Sequence, residues 1–293
     1  MTTAQKLLIC LIVVLPLRTI GAELPPLTEP ATETYQRGKL VWLDLFTADL
    51  ASARRFYGAL FGWTFADIGV GRNTYTLAYK AGFPVSGMVE RQELRNRERQ
   101  ARWIGFMSVA DVKGAAAIVA SKGGRVLIEP RQVSARGEMA VVSDPDDAPF
   151  GLINSSSGDP ADELGPAGDW IWSVYQSPDA GSAAAFYQDL AGYEVVAADP
   201  VGKAPQFLLV SGDYVRGSVV EIPAERSGLR PDWLYFARVD NVPASLAQAV
   251  ALGGKVVIEP RPDVFNGRLA VITDPSGAPL GLMEWDEASV EIN

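Results

Sequence analysis

GGRVLIEPRQVSARGEMAVVSDPDDAPFGLIN, residues 123–154, returns later in the chain as GGKVVIEPRPDVFNGRLAVITDPSGAPLGLME, residues 253–284. Aligned without a gap at an offset of 130 positions, 16 of the 32 residues are identical. A solenoid stacks at least three short repeats, whereas this unit is long and occurs twice. The stretch therefore indicates a whole domain that is present in two copies.

The duplication continues upstream of that stretch. WLDLFTADLASARRFY, residues 42–57, matches WSVYQSPDAGSAAAFY, residues 172–187, at the same offset. The segment between the copies, residues 155–169, is small, acidic and interrupted by proline and glycine, which is typical of a linker. We therefore predict a first domain over residues 39–154 and a second over residues 170–286.

Each half shows the same order of elements twice. Residues 40–47 have the apolar and aromatic character of a strand, Asp49 is placed to cap a helix, and Gly62 is placed to end it. Roughly three strands follow, and the order then repeats from residue 103 onward. The pattern predicts two βαβββ modules in each half. Asp144 and Asp274 each precede a proline and are predicted to form turns.

Composition limits the classes of function. The chain has 293 residues, 48% hydrophobic and 21% charged, as expected for about two globular domains. Its formal net charge of −9 argues against a nucleic-acid partner, which requires a basic surface. It contains no histidine, the usual proton carrier near neutral pH and a common metal ligand. Any chemistry must use carboxylates, tyrosines, amides or the backbone.

The N-terminus has the pattern of an export signal. Lys6 precedes an apolar run over residues 7–17, and Gly21 and Ala22 offer a cleavage point. We predict a signal peptide over residues 1–22, a spacer over residues 23–38, and a periplasmic or extracellular protein. Cleavage would remove Cys10, the single cysteine. The alternative is an uncleaved anchor, although eleven apolar residues fall short of the ~20 that span a bilayer. That anchor would be the chain's only membrane contact.

Four sequence features together resemble the vicinal oxygen chelate superfamily, which includes glyoxalase I, bleomycin-resistance proteins and extradiol dioxygenases. The first is a Phe-Tyr pair on the first helix, at Phe56-Tyr57 and Phe186-Tyr187, and the second is a following Gly-Trp or Gly-Tyr, at Gly62-Trp63 and Gly192-Tyr193. The other two are a helix that ends in Gly-Gly and a closing strand with the sequence D-P-x-x-A-P-x-G-L. The resemblance implies an α+β fold of two tandem glyoxalase-like domains, each of paired βαβββ modules curved into a cup-shaped sheet. Modules could pair within a half or across the linker.

The resemblance also implies where metal-using members carry their ligands, and on the last strand that ligand is usually a glutamate. On the first strand this position holds Trp42 and Trp172, and on the last strand it holds Gly151 and Gly281. On the first strand of the second module the candidates are Ile104, Gly105 and Leu234. None of these side chains binds a divalent cation. We therefore expect neither a metal nor another cofactor.

Tryptophans stand at or beside those positions in both halves. If Trp42, Trp103, Trp172 and Trp233 face the cups, they would make aromatic pockets for a planar or cationic small molecule. Alternatively they fill the cups and leave no pocket.

Three functions follow from these features. The first is binding or sequestration of a small organic ligand without bond cleavage. The second is a metal-independent enzyme, with Asp44 or Tyr79 as the candidates for proton transfer. The third is an interaction scaffold with both cups closed. We also expect a monomer, because each half supplies the partner that single-domain relatives obtain by dimerising.

Overall fold

The structure is a computed structural model that describes residues 24–69, 74–91, 101–201, 204–226 and 228–285, so the predicted signal peptide, residues 1–22, lies outside the described residues. The first half contains, in chain order, β1 (Leu40–Thr47), α1 (Leu50–Phe61), β2 (Thr64–Ile68), β3 (Tyr75–Lys80), β4 (Phe83–Glu90), β5 (Arg102–Ser108), α2 (Val112–Ser121), β6 (Arg125–Val133), β7 (Gly137–Ser143) and β8 (Pro149–Ser155). The second half contains β9 (Trp170–Ser177), α3 (Ala180–Ala191), β10 (Glu194–Val201), β11 (Ala204–Ser211), β12 (Tyr214–Glu221), β13 (Asp232–Arg238), α4 (Val242–Ala251), β14 (Lys255–Ile258), β15 (Leu269–Thr273) and β16 (Pro279–Met283).

Each half forms one mixed sheet of eight strands. The strand order is β2-β3-β4-β1-β5-β8-β7-β6 in the first half and β10-β11-β12-β9-β13-β16-β15-β14 in the second. The two modules of a half meet where their first strands pair antiparallel, β1 with β5 and β9 with β13. Modules therefore share a sheet within a half, and the predicted α+β fold of two tandem domains, each of paired βαβββ modules, is confirmed.

The ends of the first helix in each half follow from local chemistry. Asp49 accepts a hydrogen bond from the backbone N–H of Ser52 at 2.9 Å, and Asp179 accepts one from Ser182 at the same distance. These bonds satisfy backbone donors that an α-helix leaves free in its first turn. Gly62 ends α1 in the left-handed region, with φ of 68°, where glycine meets no steric penalty.

The two faces of each sheet have different partners. Because side chains alternate along a strand, β1 places Leu43 and Leu45 on one face and Trp42 and Asp44 on the other. Leu43 and Leu45 belong to a core cluster that contains residues of both halves and all four helices. Trp42 belongs to a second cluster, which is formed by the first half and Leu27 and contains no residue of the second half, and the second half has its own equivalent. The halves therefore pack through their helix-bearing faces, and each half keeps a separate cup.

At the junction between the halves, a glycine of the first copy leaves room for a tyrosine side chain of the second. Gly105 on β5 and Tyr235 on β13 are equivalent positions of the duplication. The backbone N–H of Gly105 donates to the Tyr235 hydroxyl at 2.9 Å. A Cβ at Gly105 would stand 2.7 Å from that oxygen, so the position needs glycine. The duplicated halves are thus not interchangeable at their contact.

The segment that was predicted to be a spacer packs against the first half. Residues 24–37, here called the strap, are tied to the inter-domain segment, where the backbone N–H of Thr28 donates to Ser157 Oγ at 3.1 Å and that of Gln36 donates to Asp159 Oδ2 at 2.6 Å. Ser157 and Asp159 are buried although the composition of residues 155–169 is typical of a linker. Within the described ranges, no helix has the length and apolar character to cross a membrane.

Candidate functional site

The cup of the first half contains a buried polar cluster. Asp44 Oδ1 accepts hydrogen bonds from Trp42 Nε1 at 2.8 Å and from the Tyr75 hydroxyl at 2.5 Å. Gly87, on the neighbouring strand β4, leaves the space for this arrangement, because a Cβ there would stand 1.8 Å from the Tyr75 oxygen and 2.2 Å from Asp44 Oδ1. The carboxylate is therefore held in one orientation by two donors.

Arg136 supplies the positive charge of this cluster. Its guanidinium carbon lies 4.2 Å from the centroid of a Trp42 ring, in the geometry of a cation–π contact, and the residue is 1% exposed. Burial raises the pKa of the Asp44 carboxyl, and the Tyr75 hydrogen bond and the Arg136 charge oppose that rise. Asp44 therefore keeps a proton to higher pH than an exposed aspartate does.

The strap closes the first cup. Leu27 is 4% exposed and belongs to the same apolar cluster as Trp42 and Phe106. Arg136 Nε donates to the backbone carbonyl of Pro25 at 2.9 Å, which fixes the strap over the cluster. Tyr79, the other candidate for proton transfer, packs half-buried at the edge of this cluster.

The cup of the second half is more open and is lined by aromatic rings. Trp172 stacks on Trp285 with ring centroids 6.1 Å apart and planes inclined by 18°, and Phe265 also stacks on Trp285, at 5.6 Å and 15°. All three residues are partly exposed, and Val174 stands at the position that Asp44 has in the first half. The second cup is therefore an aromatic surface without the buried charges of the first.

Indole hydrogen bonds distinguish the two tryptophans of this stack. Five of the chain's seven tryptophans donate their Nε1–H within the protein, and these are Trp42, Trp63, Trp103, Trp170 and Trp233. Trp172 and Trp285 make no such bond with any part of the chain that the structure describes. A tryptophan N–H usually needs a partner within the protein only where the ring is buried, and these two rings are partly exposed.

Trp103 and Trp233 lie on the opposite face of the sheets, in the core between the halves. Trp103 Nε1 donates to the Tyr57 hydroxyl at 3.1 Å, and Trp233 Nε1 donates to the Tyr187 hydroxyl at 2.8 Å. The reason is strand alternation, since Trp103 is the cross-strand partner of Leu45 and shares its face. Of the four tryptophans expected to line the cups, Trp42 and Trp172 face them, and Trp42 is covered.

The tyrosines of the Phe-Tyr pairs join each half to the turn of the other. The Tyr187 hydroxyl donates to Asp144 Oδ2 at 2.8 Å, and the Tyr57 hydroxyl donates to Asp274 Oδ2 at 3.3 Å. The other oxygen of each carboxylate accepts the backbone N–H groups of its own turn, as the Asp-Pro sequence predicts. Burial raises the pKa of both carboxyls to about 6. These contacts hold the interface and lie away from the cups.

The residues at the usual ligand positions do not fit a metal ion. A Cβ at Gly151 would stand 2.0 Å from the Phe106 ring, and one at Gly281 would stand 1.9 Å from the Phe236 ring. Phenylalanine therefore occupies the volume where metal-using relatives place a glutamate side chain. No group of three or more potential ligands from histidine, cysteine, aspartate and glutamate converges anywhere in the described ranges.

A surface groove of about 370 Å³ lies outside both cups, between the end of α1, the inter-domain segment and the start of α4. Its two cationic side chains are already engaged with backbone carbonyls. Lys80 Nζ donates to Phe61 at 2.6 Å, and Arg238 donates to Gly165 at 2.7 Å and to Trp285 at 3.0 Å. These contacts tie the walls of the groove together, so the groove is part of the junction between the domains.

Both domains match models of known families. Residues 39–151 match the glyoxalase/bleomycin resistance protein/dioxygenase superfamily, and residues 172–283 match the glyoxalase-like domain. The chain belongs to this superfamily, also called the vicinal oxygen chelate superfamily, as a member with two tandem domains.

Individual relatives span nearly the whole chain. CFP32 of Mycobacterium tuberculosis, named as a candidate glyoxylase, is 29% identical over 251 residues, which are 85% of this chain and 95% of that protein. The anthracycline biosynthesis protein DauV of Streptomyces sp. is 28% identical over 266 residues, which are 87% and 96%. The Mn(II)-bound glyoxalase from Novosphingobium aromaticivorans superposes with a TM-score of 0.57 at 14% identity, covering 85% of this chain and 83% of that one. At that identity the likeness shows the fold alone.

Several residues of the cups escape prediction from sequence. Tyr75, Arg136, Phe265 and Trp285 gain their roles from distant parts of the chain. One signal was available, because the two charged members of the first cup, Asp44 and Arg136, become Val174 and Asn266 in the second copy. A pair of charges that is lost together between two copies indicates that the charges face each other.

Proposed function

We propose that this chain binds a planar small organic molecule in its second cup, without a metal ion and without breaking a bond in the ligand. The observation that carries the proposal is the partly exposed stack of Trp172, Trp285 and Phe265, with two indole N–H groups that have no partner in the described structure. Flat rings offer stacking area, and the free donors favour a ligand with acceptor oxygens. The chain's net charge of −9 favours neutral or cationic ligands over anions.

Two further observations support this proposal. Phe236 fills the space beside Gly281, which leaves no room for the glutamate ligand of metal-using relatives. Two relatives, DauV and DnrV, are named as anthracycline biosynthesis proteins. Anthracyclines are planar polycyclic compounds with carbonyl oxygens. A role in holding such a compound would resemble that of the bleomycin-resistance branch of the superfamily.

A thermal-shift titration tests the proposal. Coumarin, which is planar, neutral and carries a carbonyl acceptor, should raise the melting temperature, because a ligand that binds only the folded state stabilises it. δ-Valerolactone has the same carbonyl group without the aromatic ring and should have no effect. The panel then extends to 1-aminoanthraquinone and to methylglyoxal, which represent polycyclic and dicarbonyl ligands.

A pair of variants locates the binding. Trp285→Leu removes the central ring of the stack and should weaken coumarin binding about tenfold, the equivalent of roughly 1.4 kcal/mol. Phe83→Leu is the matched control, because Phe83 is an aromatic residue of the first half that is 72% exposed and belongs to neither the apolar cluster nor the ring stack of the second cup. Equal effects of the two substitutions would contradict binding at the stack.

The metal-independent enzyme is the second candidate, and the geometry of Asp44 favours it. A buried carboxyl with a raised pKa, hydrogen-bonded to Tyr75, has the character of a general base. Its position under the strap opposes access of a substrate. Mass spectrometry of the panel after incubation separates the two functions, since conversion that is lost in Asp44→Asn would favour the enzyme and unchanged ligand would favour binding. Failure of every compound to bind would favour the scaffold.

The proposal includes an exported monomer. The helix-bearing faces of the two halves already bury each other, which leaves no duplicated surface in need of a second chain. Light scattering should give the mass of one chain, and twice that mass would contradict the proposal. Fractionation of cells should place the protein outside the cytoplasm.

A further inference from the structure

The two cups differ in what covers them. The first cup is covered by the strap, with Leu27 4% exposed among the apolar side chains of the sheet. Every member of the second cup's apolar cluster comes from residues 171–285, and no strap residue is among them. Trp172 and Trp285 there stay partly exposed.

The strap engages the first cup through both its backbone and a side chain. The carbonyl of Pro25 accepts from Arg136 Nε at 2.9 Å, while Leu27, two residues further, enters the apolar cluster. Arg136 is 1% exposed and is in turn held against Trp42. A hydrogen bond to the backbone and an apolar side chain in a pocket are two types of contact by which folded domains bind extended peptides.

Further hydrogen bonds anchor the rest of the strap. Thr28 Oγ1 donates to the Ser157 carbonyl at 2.9 Å, and Thr32 Oγ1 donates to the Asp159 carbonyl at 2.8 Å. Pro25 and Pro26 limit the conformations of the free segment, so less conformational entropy is lost when it docks. Because Leu27 lies only a short connection before β1, the strap is present at its site at high effective concentration.

We infer that the first cup is a peptide-binding site, and that the chain's own Pro-Pro-Leu segment occupies it in cis. The site takes an extended segment with a leucine-sized aliphatic side chain and, two residues before it, a carbonyl acceptor for Arg136. This inference rests on the proposed function only for the second cup, which is then the one cup of each chain that binds small molecules. The two copies of the domain would therefore bind different ligands, a peptide segment in the first cup and a small molecule in the second.

Site-specific thiol labelling tests this inference without any small-molecule ligand. In a Cys10→Ser background, Asp44→Cys places a thiol in the first cup, and Val174→Cys places one at the equivalent position of the second. Alkylation by iodoacetamide is followed by intact-mass spectrometry. The Asp44→Cys thiol should react slowly while the strap is intact, and adding Leu27→Asp should raise its rate at least tenfold, since burial of a leucine shifts such an equilibrium roughly 10- to 100-fold.

Val174→Cys is the matched control. Its alkylation rate should change less than twofold on adding Leu27→Asp, because the strap does not cover the second cup. Equal rates for Asp44→Cys with and without Leu27→Asp would overturn the inference. A thermal melt of each variant confirms that labelling reports the folded chain.

A labelled peptide gives a second measurement on the chain with natural cup residues. Fluorescein-labelled LPPLTEPATETYQR, the strap sequence, should bind the Leu27→Asp chain in an anisotropy titration, and the wild-type chain should exclude it. The same peptide with aspartate in place of the leucine that corresponds to Leu27 should not displace the labelled peptide. Binding of the labelled peptide to both chains alike, or to neither, would contradict occupation in cis. Small-molecule binding at the second cup is scored separately, so failure of either proposal is recognisable by itself.

Discussion

The Tyr187→Phe substitution tests how the two halves are held together. The Tyr187 hydroxyl accepts from Trp233 Nε1 at 2.8 Å and donates to Asp144 Oδ2 at 2.8 Å, and it is fully buried. Its removal leaves a buried donor on one side and a buried carboxylate oxygen on the other without this partner. Each orphaned buried group costs about 1–3 kcal/mol, so we expect the substitution to lower the free energy of unfolding by about 2–4 kcal/mol at pH 7.5.

The equivalent substitution in the other copy provides an internal comparison. The Tyr57 hydroxyl stands 3.1 Å from Trp103 Nε1 and 3.3 Å from Asp274 Oδ2, so its hydrogen bonds are longer. Tyr57→Phe should therefore lower the free energy of unfolding by only about 1–2 kcal/mol. Tyr214→Phe is the matched control, because Tyr214 is 49% exposed and its change should stay within about 0.5 kcal/mol.

The effect of Tyr187→Phe should depend on pH. Burial raises the pKa of Asp144 in the folded protein to about 6, above its ordinary value of 3.8. The folded state therefore binds this proton more tightly, and the resulting stability is fully present below pH 3.8 and is lost as the pH rises through about 6. At pH 5 Asp144 is mostly protonated and no buried charge is stranded, so the loss of unfolding free energy should fall to about 1–2 kcal/mol.

Urea denaturation at pH 5 and pH 7.5, followed by tryptophan fluorescence, measures these differences. A loss for Tyr187→Phe that is the same at both pH values would refute the assignment of a charged partner. A loss no larger than that of Tyr214→Phe would refute the hydrogen-bonded connection between the halves.

Further substitutions test the cups and the metal positions. Gly87→Ala places a Cβ 1.8 Å from the Tyr75 oxygen and should lower the free energy of unfolding by about 2–3 kcal/mol in urea denaturation. Gly228→Ala is the control and should be nearly neutral, because a Cβ there would have no atom within 4 Å. Equal effects of the two substitutions would contradict the close packing around Asp44. Gly151→Glu restores the usual ligand of metal-using relatives, but the Phe106 ring stands 2.0 Å from the new Cβ, so the variant should lose about 3 kcal/mol or more and gain no Mn²⁺ in metal analysis. A stable variant that retains Mn²⁺ through dialysis would contradict the assignment of that space to phenylalanine.

The fold is predictable from the sequence because its signals are local and occur twice. The start of α1 after Asp49 and its end at Gly62 need only the cap residues and the helical spacing. The D-P turns follow in the same way from one side chain that accepts nearby backbone donors. What the sequence left open was module pairing, because both candidate partners of β1 have the same pattern.

The candidate site was harder to predict from the sequence, because it depends on contacts between segments that are distant along the chain. Trp103 and Trp42 look alike in sequence, yet the strand register sends Trp103 into the core between the halves and Trp42 into the cup. The strap has the composition of a spacer, and only the buried Ser157 and the pocket for Leu27 give it a fixed position. Trp285 became part of the stack because Phe265 and Trp172 meet it in space.

Calorimetric titration of the chelator-treated full chain with coumarin tests the central claim most directly. The account predicts one binding site per chain, an affinity unchanged by added Mn²⁺, and a loss of about tenfold in affinity on Trp285→Leu. Binding that appears only after Mn²⁺ is added, or that is untouched by Trp285→Leu, would contradict a metal-free aromatic site in the second cup.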